Sequence, residues 1–148
     1  MQQVSPSEIQ ISGWQLQCDS KSTTGLNCQA LDQVTARRNN AVISAVSIRQ
    51  TTDRKPVLYV QVPLGIALED GIRVGFENGA VQALPAFTCN SNGCMARAPI
   101  GDPLLNAMRA AKQPLRIAYE NLDGNLNKQT VTIVLGLDGF SAAYDKLR

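Results

Sequence analysis

The chain has 148 residues, 44% hydrophobic and 18% charged, with a formal net charge of +2. A domain of that size buries roughly two-thirds of the surface its unfolded chain exposes; the composition excludes a disordered polyelectrolyte and gives no electrostatic ground for binding nucleic acid. The sequence holds no histidine, which removes Ser-His-Asp and Cys-His nucleophilic sites, histidine acid–base catalysis and His-ligated metals.

The first residues, Met1 to Ser7, lack the basic and apolar regions of a signal peptide, and a mature exported chain carrying a start Met would read the same way. Trp14, Leu16 and Cys18 alternate with Gln15 and Gln17, the period of a half-buried strand. The polar run 20–25 then turns the chain, and a hairpin centred on Thr23 sets Cys28 opposite Cys18, within disulfide reach. Cys89 and Cys94 enclose four residues with an Asn-Gly step, a tight turn. Two local disulfides, Cys18–Cys28 and Cys89–Cys94, are therefore expected, and they place the chain in an oxidising compartment. The rivals are a four-thiolate zinc site, for which the spacing of the first pair is too wide, and buried free thiols.

Further strands follow at close spacing. Val42, Ser44, Val46 and Ile48 share one face; Leu58, Val60, Val62 and Leu64 alternate with Val57, Tyr59 and Gln61. Ile72, Val74 and Phe76 precede Asn78-Gly79, a hairpin signal. Residues 81–87 lead into the second cysteine pair, and the runs 115–119 and 131–135 alternate across the turn 121–125. About eight short strands predict a mostly β chain, an antiparallel β-sandwich. Two helices break the pattern. Asp102 is placed to cap one near 102–112, with Pro103 at its first position and Leu104, Leu105, Met108 and Ala111 on the buried face. Asp138 is placed to cap the other near 138–147, with Phe140, Ala143, Tyr144 and Leu147 inward. With no linker or repeat, residues 1–148 are read as one domain whose core spans about 12–147. No apolar run approaches the roughly 20 residues of a membrane-spanning helix.

The search for chemistry returns little. The phosphate-loop, dinucleotide, nucleophile-elbow and S-x-x-K motifs are all missing from the sequence. Glu69-Asp70, Asp123 and Asp138 sit beside turns and caps, and no spacing suits calcium. No cofactor or metal is therefore expected. Trp14 is expected to pack against the first disulfide. Arg37-Arg38 and Arg54-Lys55 flank the 42–49 strand; they read as a solvated rim or as anion contacts.

The ordered set Trp14-x3-Cys18, Cys28-Gln29, Pro63-x-Gly65-x2-Leu68-x2-Gly71-Ile72-x-Val74, Cys89-x3-Gly93-Cys94-x-Ala96 and Leu137-x-Gly139-Phe140-x-Ala142-Ala143-x3-Leu147 resembles the invasion-associated locus B proteins of alphaproteobacteria. The likeness runs from about residue 14 to 147 and departs at Gly75-Phe76, where the family pattern is apolar then acidic. It implies an exported, envelope-associated protein, periplasmic or extracellular, with some members linked to host-cell entry; it carries no catalytic motif. The expected function is a non-enzymatic binding module. An unidentified envelope or host-surface partner would meet the loops at 20–26, 34–41 and 51–56, with Arg37, Arg38, Arg54 and Lys55 as candidate contacts. The alternatives are an envelope assembly or stability factor and a carboxylate-based envelope enzyme.

Overall fold

The computed structural model describes residues 2–3, 9–11, 13–19, 27–36, 38–39, 42–50 and 55–147. Strand formation follows the period-2 pattern most clearly at β6 (Pro56–Val62), where Leu58, Val60 and Val62 have no exposed surface and Val57, Tyr59 and Gln61 lie partly open on the opposite side. Its neighbours are β4 (Asn27–Ala36), β5 (Val42–Gln50), β9 (Ala86–Asn90) and β10 (Gly93–Pro99), ordered β4-β5-β6-β10-β9. On the free side of β4 lie β2 (Ile9–Ile11) and β3 (Gln15–Asp19), completing a seven-stranded sheet. The second sheet runs β1 (Gln2–Gln3), β12 (Lys128–Leu135), β11 (Leu115–Leu122), β7 (Ile72–Gly75), β8 (Val81–Leu84). The described pairings are antiparallel apart from β1 with β12. The inner faces of both sheets meet in one apolar core that includes Val46, Ile48, Val60, Ile72, Val74, Ile117 and Ile133.

Between the described strands the chain changes sheet four times, first from β1 to β2. After β6 the segment 63–71 carries a short 3₁₀ turn, Leu68–Asp70, and docks on β11: the Ala67 amide donates to the Glu120 carbonyl at 2.8 Å and the Leu122 amide to that of Gly65 at 2.7 Å. Pro85 then ends β8 and returns the chain to β9. Last, α1 (Asp102–Ala110) carries it from β10 to β11, burying Leu104, Leu105 and Met108.

Ten strands of four residues or more are described, with two shorter ones, against about eight expected. The difference arises at 81–99. Pro85 divides one expected strand into β8 and β9, which enter different sheets. The segment Gly93–Pro99 has little intrinsic strand preference, yet it is drawn into β10 by ladders on both sides.

Both disulfides form as expected, Cys18–Cys28 and Cys89–Cys94, and each joins residues directly opposed in the ladder. The sulfurs are thus unavailable to zinc. Four smaller expectations are corrected. Gly101, not Asp102, caps α1, and Asp102 stands in its first turn, where a carboxylate favours the helix dipole without a capping hydrogen bond. The helix ends at Ala110; Ala111 is exposed in a left-handed conformation rather than on the buried stripe. The second helix, α2 (Phe140–Asp145), is shorter than 138–147 and is capped by Gly139, with Asp138 outside it. Trp14 finds its ring partner in Phe140, edge to face at 4.8 Å, and its Nε1 donates to the Gly136 carbonyl at 2.9 Å, while Cys18 is exposed. Among the described residues no helix is long and apolar enough to cross a membrane.

Candidate functional site

Of the basic residues singled out in the sequence, the two that are described lie near opposite ends of β5. Arg38 lies exposed in the turn after β4 and Lys55 lies exposed just before β6; Arg37 and Arg54 fall outside the described residues, as do all of the loop at 20–26, residues 40–41 of the loop at 34–41 and residues 51–54 of the loop at 51–56. Val42 pairs with Thr35 at one end of β5 and Gln50 with Pro56 at the other. At about 3.4 Å per residue the two places are roughly 27 Å apart. A single small anion cannot span them.

A different set of side chains does converge, on the outer face of the seven-stranded sheet. The Arg49 Nε on β5 donates to the Gln29 side-chain oxygen on β4 at 3.0 Å, and its guanidinium lies 4.6 Å from the Tyr59 ring centroid on β6. Tyr59 is directly opposite Arg97 on β10, whose guanidinium lies 4.2 Å from the Phe87 ring on β9. A register shift supplies that last contact: Met95 and Ala96 face Thr88 and Ala86, which leaves Phe87 as an extra residue on β9. Gln17 on β3, opposite Gln29, continues the row outward. The result is a strip of amide, cation, ring, cation and ring running across the strands. Sequence reading missed it because its members are scattered over 17–97; the one available signal was that Arg49, Tyr59 and Arg97 all fall on the outward phase of their strands.

Charges on the rest of the molecule are paired differently. Arg73 meets Glu120 at 3.1 Å, Arg109 meets Asp145 at 2.7 Å and Arg116 meets Glu77 at 3.1 Å. Lys128 bridges Glu69 at 3.0 Å and Asp70 at 2.9 Å. The 3₁₀ turn is what brings these two adjacent carboxylates to one cation, where a strand would have sent them to opposite faces. Lys128 is held above the usual lysine range by its bonds to Asp70 and Glu69. Glu120 is held below the usual carboxylate range, first by the Thr130 hydroxyl, which donates to it at 2.8 Å, and then by Arg73. Burial pushes the Tyr119 phenol up to about 12. These shifts keep each group in its ordinary charge state at neutral pH, the opposite of what proton transfer requires. Asp32, on the inward face of β4, has no exposed surface and cannot meet a substrate.

Because Glu120 is easier to ionise folded than unfolded, the stability it contributes is present above the unfolded glutamate value of about 4.3 and is lost as pH falls through the lower folded one. Thermal melts of wild type and Thr130→Val are therefore expected to differ most at neutral pH and to draw together as pH falls below the unfolded glutamate value of about 4.3. A gap independent of pH would show that Thr130 acts through packing alone.

A family model for "Invasion associated locus B (IalB) protein" matches residues 14–148. The chain belongs to the IalB family. Among solved structures, the crystal structure of invasion associated protein B from Bartonella henselae superposes with a TM-score of 0.76 at 24% identity, covering 90% of this chain and 89% of that one. No curated protein matches the sequence significantly. The residues that carry the IalB pattern serve the fold. Both cysteine pairs cross-link neighbouring strands. Gly71, at φ +64°, turns under β8, where an added Cβ would stand 2.9 Å from the Leu84 carbonyl oxygen. Phe140 fills the core beneath Trp14. At the departure from the IalB pattern, Gly75 sits against the Ala80 carbonyl and Phe76 is buried.

Proposed function

We propose that this IalB-family chain is a non-enzymatic binding module, exported to the periplasm or beyond, that engages an envelope or host-surface partner through the outer face of its seven-stranded sheet. The observation that carries this reading is the contrast between the two sheets. The cations of the five-stranded sheet are neutralised by carboxylates. Those of the seven-stranded sheet, Arg49 and Arg97, lie on aromatic rings and are exposed. Two cross-strand disulfides suit an oxidising compartment, and the name of the Bartonella structure speaks for contact with host cells in that protein. Against catalysis stand the missing histidine and carboxylates tied into ion pairs.

The test is capture from native envelope, and separately from host-cell membranes, under crosslinking. Arg49→Glu with Arg97→Glu should lower capture at least about tenfold, since charge-assisted contacts of this kind are worth roughly 1.5 kcal/mol or more each. Reversal of Arg37, Arg38, Arg54 and Lys55 addresses the loop ends separately. Undiminished capture by both sets removes basic recognition. Turnover of an envelope substrate by metal-free protein, abolished by one carboxylate change, would replace the binding reading with an enzymatic one.

A further inference from the structure

The strip from Gln17 to Phe87 has a chemistry that narrows its occupant. Its six strands, β3-β4-β5-β6-β10-β9, span about 24 Å at 4.8 Å per spacing, and Arg49 and Arg97 stand two spacings across and two residues along the strands, roughly 12 Å apart. Strands β4, β5, β6, β9 and β10 contain one acidic residue, Asp32, buried on the inner face, and β3 ends in a second, Asp19, two residues past Gln17 at the far end of the strip. Around Arg49 and Arg97 the outer face is thus cationic, since no acidic residue of β4, β5, β6, β9 or β10 lies on it. Each guanidinium lies over a ring and is exposed; the Arg49 Nε is taken by Gln29, so an oxyanion would meet its terminal N–H groups. On the far side of Arg49 from Arg97 are glutamine amides, which donate and accept at once, as hydroxyl groups require: Gln29, already holding Arg49, and the exposed Gln15 and Gln17.

We infer that this strip binds an acidic polysaccharide, a chain bearing carboxylates among hydroxyls, laid across the strands. The inference rests on the binding reading above and adds the ligand class. Other occupants fit less well. Single-stranded nucleic acid needs open rings for base stacking, and here both rings lie under arginines. A peptide adding as a strand needs a sheet edge, while the strip's centre, β5, β6 and β10, is paired on both sides. A membrane surface calls for apolar insertion with lysines around it, and β3 to β6, β9 and β10 contain no lysine.

The experiment is calorimetric titration of the purified, disulfide-intact chain with polygalacturonate. Dextran serves as the neutral glycan, poly-glutamate as the acidic polypeptide, and phosphatidylglycerol vesicles as the anionic membrane. Polygalacturonate should bind at least about tenfold more tightly than each of the other three. Arg49→Gln and Arg97→Gln should each weaken it about fivefold to tenfold, with an unchanged near-ultraviolet spectrum, while Arg116→Gln, the same charge change on the other sheet, should leave it unaltered. Equal binding of poly-glutamate or vesicles, or indifference to both arginines, overturns the inference. If polygalacturonate fails to bind but Arg49→Glu with Arg97→Glu still abolishes envelope capture, the glycan assignment falls and the binding module stands. If capture is also unaffected, both fall.

Discussion

Replacing Phe140 with alanine is expected to destabilise the protein by about 3–5 kcal/mol, the range for a fully buried aromatic. Phe140 has no exposed surface and opens α2, a helix only six residues long that cannot persist without tertiary support. The ring meets Trp14 edge to face at 4.8 Å and stacks on Tyr144 at 5.8 Å. Truncation would leave a void bounded by both rings and would free the helix from the sheet edge that carries Trp14. Urea unfolding followed by Trp14 fluorescence reads the change directly, because this is the only tryptophan. Phe140→Leu, which keeps most of the volume, should cost under about 2 kcal/mol. A loss under about 1 kcal/mol for the alanine variant would show that α2 does not belong to the core.

The second large effect is expected at Gly93. It begins β10 at φ +134°, and a Cβ there would lie 2.3 Å from the Val62 carbonyl oxygen, a backbone atom in the β6 ladder. Alanine must therefore push β10 away from β6 while adopting a backbone region it disfavours. Backbone strain of about 1–3 kcal/mol and a comparable overpacking cost give a loss of roughly 2–5 kcal/mol. Gly124→Ala is the matched control, since nothing lies within 4 Å of an added Cβ there. Equal unfolding midpoints for the two variants would mean that β10 and β6 separate easily.

Local pattern was enough for part of this protein. The alternation of Leu58, Val60 and Val62 set the inward face of β6, because a strand's side-chain period is a property of its own backbone. The opposition of Cys18 and Cys28 followed from hairpin parity across a short turn. The buried stripe of Leu104, Leu105 and Met108 followed from helical period and the proline beyond it. The ordered cysteine and glycine motifs were enough to place the chain in its family.

Other features depended on which strands become neighbours. Gly93–Pro99 is a strand only because β6 and β9 pair with it. Arg38 and Lys55 are close in sequence yet lie near opposite ends of β5, since an antiparallel strand carries its two flanking turns apart. Glu69 and Asp70 meet Lys128 because the crossover docks on β11, far along the chain. The strip of Gln29, Arg49, Tyr59, Arg97 and Phe87 exists because β10 inserts between β6 and β9, so that Tyr59 and Arg97, 38 positions apart, stand side by side. Period fixes which way a side chain points; only the order of strands in the sheet decides what it points beside, and that order is set by the burial of both inner faces in a common core.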